Sequence, residues 1–280
     1  MNRRALVVAA CLLAGCTTTK AVGDGALDAT STSQAGPSTS STSTSTTSTS
    51  TTIPPTTTTV LPQFLGEETI GTSVEGRPIT VFHRGTPGGV VVLVVGVIHG
   101  NEDAGLAILD HLRTLPIPEG IDLWIMPAIN PDGYANQARG NSNGVDLNRN
   151  FPHDWTAIAE PGDWQYSGTG GGSEPETQAF MDLAGRLHPA LTLWYHQDLH
   201  TISPSKGRDA ALRRHYATRT GLDQTVVSGG TYTGVAATWV RRAMPDTMSF
   251  IIELGPTLSP DEALLHATVV LEVAAMVPAV

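Results

Sequence analysis

Residues 90–105 read VVVLVVGVIHGNEDAG, and the fold turns on what changes at His99. The run before it is β-branched and shows no apolar–polar alternation. A strand with one wet face alternates, whereas a strand covered on both faces stays apolar throughout. This run is therefore expected to be a central strand, buried on both sides. The following EDAGLAILDHLRTL, residues 102–115, carries a helical apolar pattern that stops before Pro116. Glu102 is then expected on the first turn of that helix, three residues after a histidine presented at a strand end. Alone, His-x-x-Glu is weak: a turn and a helix start explain it, and so does half of a metal site.

The same alternation of elements continues on either side. GTSVEGRPITVFHRG, residues 71–85, reads as a hairpin about a Gly-Arg-Pro turn, and IDLWIMPAIN, residues 121–130, as a second buried strand. A loop-rich section, 131–173, leads to SEPETQAFMDLAGRL, where Ser173 is expected as N-cap and Glu176 as its capping-box partner. ALTLWYH at 190–196 and TMSFIIELG at 247–255 are further strands; 207–221 and 260–277 are helices. Strands alternating with helices give an α/β fold whose central sheet is mostly parallel or mixed and is flanked by helices. Polar residues collect where the strands end: His99, Asn130 with Asp132, His196 and Glu253. Open α/β sheets place ligands at such ends.

The rest of the chain bounds the context. The 280 residues carry a net charge of -10, which excludes the cationic footprint a nucleic-acid binder needs. MNRRALVVAACLLAGC, residues 1–16, has a basic head and a short apolar run: a secretion signal too short to span a bilayer. Leu13-Ala14-Gly15-Cys16 looks like a bacterial lipobox, with 1–15 removed and Cys16 lipidated. The rival is a plain secretory signal with an incidental cysteine. Residues 16–60 form a Ser/Thr-rich tether too poor in apolar surface to order. The catalytic domain is expected at 61–280, outside the cytoplasm and anchored to the cell membrane. Cys11 and Cys16 are the two cysteines, so that domain has no thiol for a disulfide, nucleophile or ligand.

RGNSNGVDLNRNF, residues 139–151, changes the weight on His99. Together with Arg77-Pro78, HGNE, Asn130-Pro131-Asp132-Gly133, SEPET, a strand ending in His196, and SFIIEL, it resembles the zinc carboxypeptidase family. The middle section looks most like that family's bacterial murein peptide amidases, which cleave between γ-D-glutamate and meso-diaminopimelate. The resemblance implies one zinc ion per domain, held by His99, Glu102 and His196. It makes Asp146 the hydrogen-bond acceptor for the second ring nitrogen of His99. It implies Arg139 as oxyanion stabiliser, Asn148 and Arg149 as the clamp on a terminal carboxylate, Tyr232 as a substrate contact, and Glu253 as general base and then acid.

Each role has a plainer rival. Arg149 could be a surface ion-pair partner, Asp146 a turn cap, Glu253 half of a structural ion pair, and Tyr232 a packing residue. His200 competes with His196, Asp198 is a further pocket-lining candidate, and the resemblance implies that Ala237-Thr238 stands in the side-chain pocket, without an acid to select lysine or arginine. Three rival functions stand beside a monomeric murein peptide amidase acting on wall peptides. They are a general secreted zinc carboxypeptidase, a deacylase of N-acyl amino acids, and an inactive wall-binding lipoprotein.

Overall fold

The structure, a computed structural model, describes residues 63–228 and 230–278. The signal peptide, Cys16 and the tether expected at 1–60 lie outside them. The described residues form six strands: β1 (Phe64–Thr72), β2 (Pro78–Gly85), β3 (Val90–Val97), β4 (Ile121–Ala128), β5 (Leu191–Gln197) and β6 (Met248–Leu254). They lie in one sheet in the order β1-β2-β4-β3-β5-β6. β4, β3, β5 and β6 run parallel, while β1 and β2 add an antiparallel edge.

β3 lies at the centre, and its side chains alternate between two cores. Val92 and Val94 join one apolar cluster, with Leu193 and Phe250. Leu93 and Val95 join the other, with Trp194, Phe180 and Phe151. This is why the strand reads as an unbroken apolar run. Each such buried side chain contributes roughly 1.5–3 kcal/mol. Helices α1 (Gly105–Leu112), α4 (Ala210–Thr220) and α6 (Pro260–Ala275) cover the first cluster's face. Helices α3 (Pro175–Leu187) and α5 (Ala236–Ala243) cover the second.

The local expectations fail in four places. The helix after β3 begins at Gly105, so Glu102 is not on its first turn. His99-Gly-Asn-Glu102 instead closes a turn in which Glu102 N–H donates to His99 O at 3.0 Å. Ser173 is not the N-cap of α3; Glu174 is, because Pro175 fills the first helical position. The Glu176 carboxylate accepts instead from Val74 N–H and Asn141 Nδ2. The section from 131, expected to be loop, instead opens with a short helix, α2 (Pro131–Asn136), with Asn130 as N-cap. Helix α5 was not expected; its first N–H is met by Asn148 Oδ1, 88 residues away in sequence, and no local cap marks it.

Candidate active site

Three parallel strands deliver the site at their carboxyl ends. His99 follows β3 by two residues, His196 is the penultimate residue of β5, and Glu253 that of β6. His196 and Glu253 are register partners across β5 and β6. Asn130, expected among the ligand-facing groups, does structural work. Its Nδ2 donates to Ile98 O and Arg139 O, tying the turn that carries His99 to the loop that carries Arg139. Asp132 is fully buried and accepts from Ser73 Oγ, Glu75 N–H and Arg77 Nη1, which pins the β1–β2 turn. The two glycine motifs meet here: a Cβ on Gly100 would fall 1.9 Å from the Gly133 carbonyl carbon.

His99, Glu102 and His196 converge, with one ligand atom from each lying within 4.8 Å of the others. His99 Nδ1 lies 2.8 Å from Glu102 Oε1, and His196 Nδ1 lies 2.9 Å from Glu102 Oε2. The two Nδ1 atoms face each other at 3.1 Å. Facing imidazole lone pairs beside a carboxylate need a cation, and two nitrogens with one carboxylate are the donor set of an open zinc site. The residues present therefore fit one zinc ion. Burial lowers the His196 pKa, which keeps the ring neutral and able to ligate. Burial pushes Glu102 up, but hydrogen bonds from His196 and His99 outweigh it and hold the carboxylate well below its ordinary range.

Asp146 is fully buried and divides its carboxylate. Oδ1 accepts from His99 Nε2 at 3.0 Å and from Asn148 N–H at 2.9 Å. Cap and histidine partner are thus the same residue, and the bond fixes which His99 nitrogen faces the metal position. Oδ2 accepts from Arg139 Nε and Nη2 at 3.1 and 2.8 Å. Arg139 Nη1 also donates to Glu102 Oε1 at 2.9 Å, and its guanidinium lies 5.0 Å from the Trp164 ring centroid.

A cavity of about 540 Å³ opens onto this cluster. Glu253 lines it and joins none of the salt bridges among the described residues. Burial raises its pKa to about 7, aided by the nearby Glu102 charge. Arg149 is 3% exposed, so it is no surface ion-pair partner. Its Nη1 donates to Asn148 O, its Nε has no partner among the described residues, and burial lowers its pKa. Asn148 Nδ2 lies 3.4 Å from His196 Nε2. Tyr232 is half-exposed, with the Arg149 guanidinium 5.2 Å from its ring centroid. His200 and Asp198 are exposed and outside the cavity wall, although the Asp198 charge helps raise Glu253. Among the lining residues that sequence reasoning missed are Trp164, Arg213 and Arg241. Arg213 lies in an expected helix, where a charge looks like a solvated face, and Arg241 in a stretch assigned to no element, so nothing local marked either.

Comparison with known proteins gives a consistent picture. The sequence model of the zinc carboxypeptidase family matches residues 56–210. Murein peptide amidase A of Escherichia coli K12 is 36% identical over 149 residues, which are 49% of this chain and 61% of that protein. The chain thus spans about three fifths of the length of that curated relative. The crystal structure of the murein-tripeptide amidase MpaA from Escherichia coli O157 superposes with a TM-score of 0.60 at 29% identity, covering 76% of this chain and 92% of the other. The carboxypeptidase A of Helicoverpa armigera has a TM-score of 0.65 at 20% identity, covering 77% of this chain and 68% of the other, a likeness of fold.

Proposed function

The chain belongs to the zinc carboxypeptidase family, and from that membership we propose that it hydrolyses an amide bond next to a residue with a free terminal carboxylate. One observation carries the reading. Two histidine nitrogens and a carboxylate converge on one wall of a cavity whose other walls hold a glutamate and a buried arginine without an ion-pair partner among the described residues.

His99, Glu102 and His196 would hold the zinc ion, which would supply a Lewis acid toward the scissile carbonyl and a water molecule. Glu253 takes the proton of the attacking water and passes it to the leaving amine; its raised pKa suits both transfers near neutral pH. Arg139, held in place by Asp146, faces the negative charge that develops on the carbonyl oxygen. Arg149 accepts the substrate's terminal carboxylate in its planar fork, with Asn148 beside it. Tyr232 closes over the same carboxylate from the rim of the cavity.

The substrate reading is a peptidoglycan-derived peptide cut between γ-D-glutamate and meso-diaminopimelate. Likeness to the murein peptide amidases supports it, and so does the export signal read at residues 1–15. In this reading the domain spans 61–280 and works outside the cytoplasm, tethered through 16–60 to a lipid on Cys16. Among the described residues no helix is long and apolar enough to cross a membrane.

Mass analysis of products from defined muropeptides, run beside ordinary peptides with free carboxyl termini, tests the choice. Release of meso-diaminopimelate-containing product in preference to ordinary terminal residues is expected. Efficient trimming of ordinary peptides with muropeptides left intact would make the protein a general carboxypeptidase instead.

A further inference from the structure

Four arginines line the cavity, and they divide by partner. Arg139 is matched by Glu102 and Asp146, and Arg213 by Asp209, with Nη2 and Oδ2 2.6 Å apart. Arg149 and Arg241 have no carboxylate within salt-bridge distance among the described residues. A guanidinium withdrawn from water without a counterion is unfavourable, and its persistence at a cavity wall points to an anion that arrives with the ligand. One terminal carboxylate satisfies Arg149 and leaves Arg241 over.

Arg241 is not fully accounted for by structure. Its Nη1 donates to Ser249 O at 2.6 Å and its Nη2 to Thr238 Oγ1 at 2.9 Å. Ser249 O also receives Arg213 Nη2 at 3.3 Å, so one edge-strand carbonyl is served by two cations, of which only Arg213 is paired with an aspartate. Burial and the neighbouring Arg213 charge both depress the Arg241 pKa, the mark of a cation short of negative charge. Ser249 precedes Glu253 by four residues on β6, roughly 13 Å along an extended strand. Ile251 lies between them and lines the cavity, as does Ala237. The path from the general base to Arg241 is thus apolar in its middle and cationic at its far end.

We propose that Arg241 reads a second carboxylate, carried at the end of the side chain of the residue whose terminal carboxylate Arg149 holds. The inference rests on the substrate orientation given under Proposed function and specifies its class: a dicarboxylic terminal residue with several methylenes. Those methylenes lie against Ile251 and Ala237. A lysine at the same place brings its ammonium to two guanidiniums with no carboxylate to offset the like charge, and is rejected. Meso-diaminopimelate differs from lysine by one carboxylate on that terminal carbon, which makes the pair a direct probe.

Two tripeptides, L-Ala–γ-D-Glu–meso-diaminopimelate and L-Ala–γ-D-Glu–L-Lys, are compared on the zinc-loaded protein. In the wild type kcat/KM should favour the first by roughly 100-fold, the discrimination available when a buried charged group loses its partner. Arg241→Gln should shrink that ratio to a few-fold, and Arg241→Lys, which keeps the charge without the planar fork, should recover part of it. Calorimetric binding of free meso-diaminopimelate and free L-lysine to the same proteins gives a readout independent of turnover. A preference for meso-diaminopimelate that Arg241→Gln removes supports the inference even if neither tripeptide is cleaved, in which case the proposed reaction alone falls. Equal binding of the two amino acids by the wild type, or a preference unchanged in Arg241→Gln with zinc content intact, overturns it.

Discussion

Around the metal cluster every charge faces an opposite charge, whereas on the substrate side of the same cavity three do not. His99, Glu102, His196, Asp146 and Arg139 form a closed network of contacts between 2.8 and 3.1 Å. Glu253, Arg149 and Arg241 line the cavity without an ion-pair partner among the described residues. The contrast separates two requirements. A metal site must be built before its ion arrives, so the protein supplies the carboxylates that orient and charge-match the ligands. A substrate site must leave its strongest groups unmatched, because a carboxylate supplied by the protein would compete with the one supplied by the substrate. The unpaired half therefore describes the ligand in negative: an anion for each free guanidinium and a proton donor for the free carboxylate.

The two halves respond differently to substitution, and the largest effect belongs to the paired one. His196→Ala removes one of three ligands; zinc bound per chain, measured by elemental analysis after dialysis, should fall nearly to zero and turnover with it. Full zinc content in that variant breaks the assignment of the closed network to the metal. In the unpaired half, Arg149→Ala should reduce kcat/KM by roughly 100-fold on substrates with a free terminal carboxylate. Carboxyl-amidated analogues, compared in the same assay, should lose far less, and zinc content should not change. Equal losses on both would remove the clamp from the comparison.

The smallest effect is a displacement along the pH axis. In its proposed role as general base Glu253 accepts a proton only as carboxylate, so activity is expected to fall as pH drops through its pKa. Burial raises that pKa from 4.5 toward about 7. Zinc neutralises part of the Glu102 charge that assists the shift, so the acid limb of kcat/KM is expected between those two values. A limb at or below 4.5 would mean that burial does not govern the general base.

Much of the fold could be read along the chain because its signals are local. The apolar run before His99 states its double burial, and the alternation of strands and helices states the layered sheet. The metal ligands were legible through resemblance rather than spacing, since His99 and Glu102 lie on one turn while His196 comes from another strand. What escaped depends on distant partners. Helix α5 is capped by Asn148 from a separate loop, and Ser173 lost the N-cap position to Glu174 because Pro175 fills the first helical position. Asp132 reads like a ligand at a strand end, but Ser73 and Arg77 from the β1–β2 turn claim it. Arg213 lies in an expected helix and Arg241 in a stretch assigned to no element, and nothing marks either until the sheet edge brings both to Ser249 O.

The separation of the two halves is tested most directly by Glu253→Gln, with zinc content and turnover measured on one sample. The account predicts about one zinc per chain, as in the wild type, and turnover on the preferred substrate reduced by roughly a thousandfold. Full activity with zinc bound would contradict it.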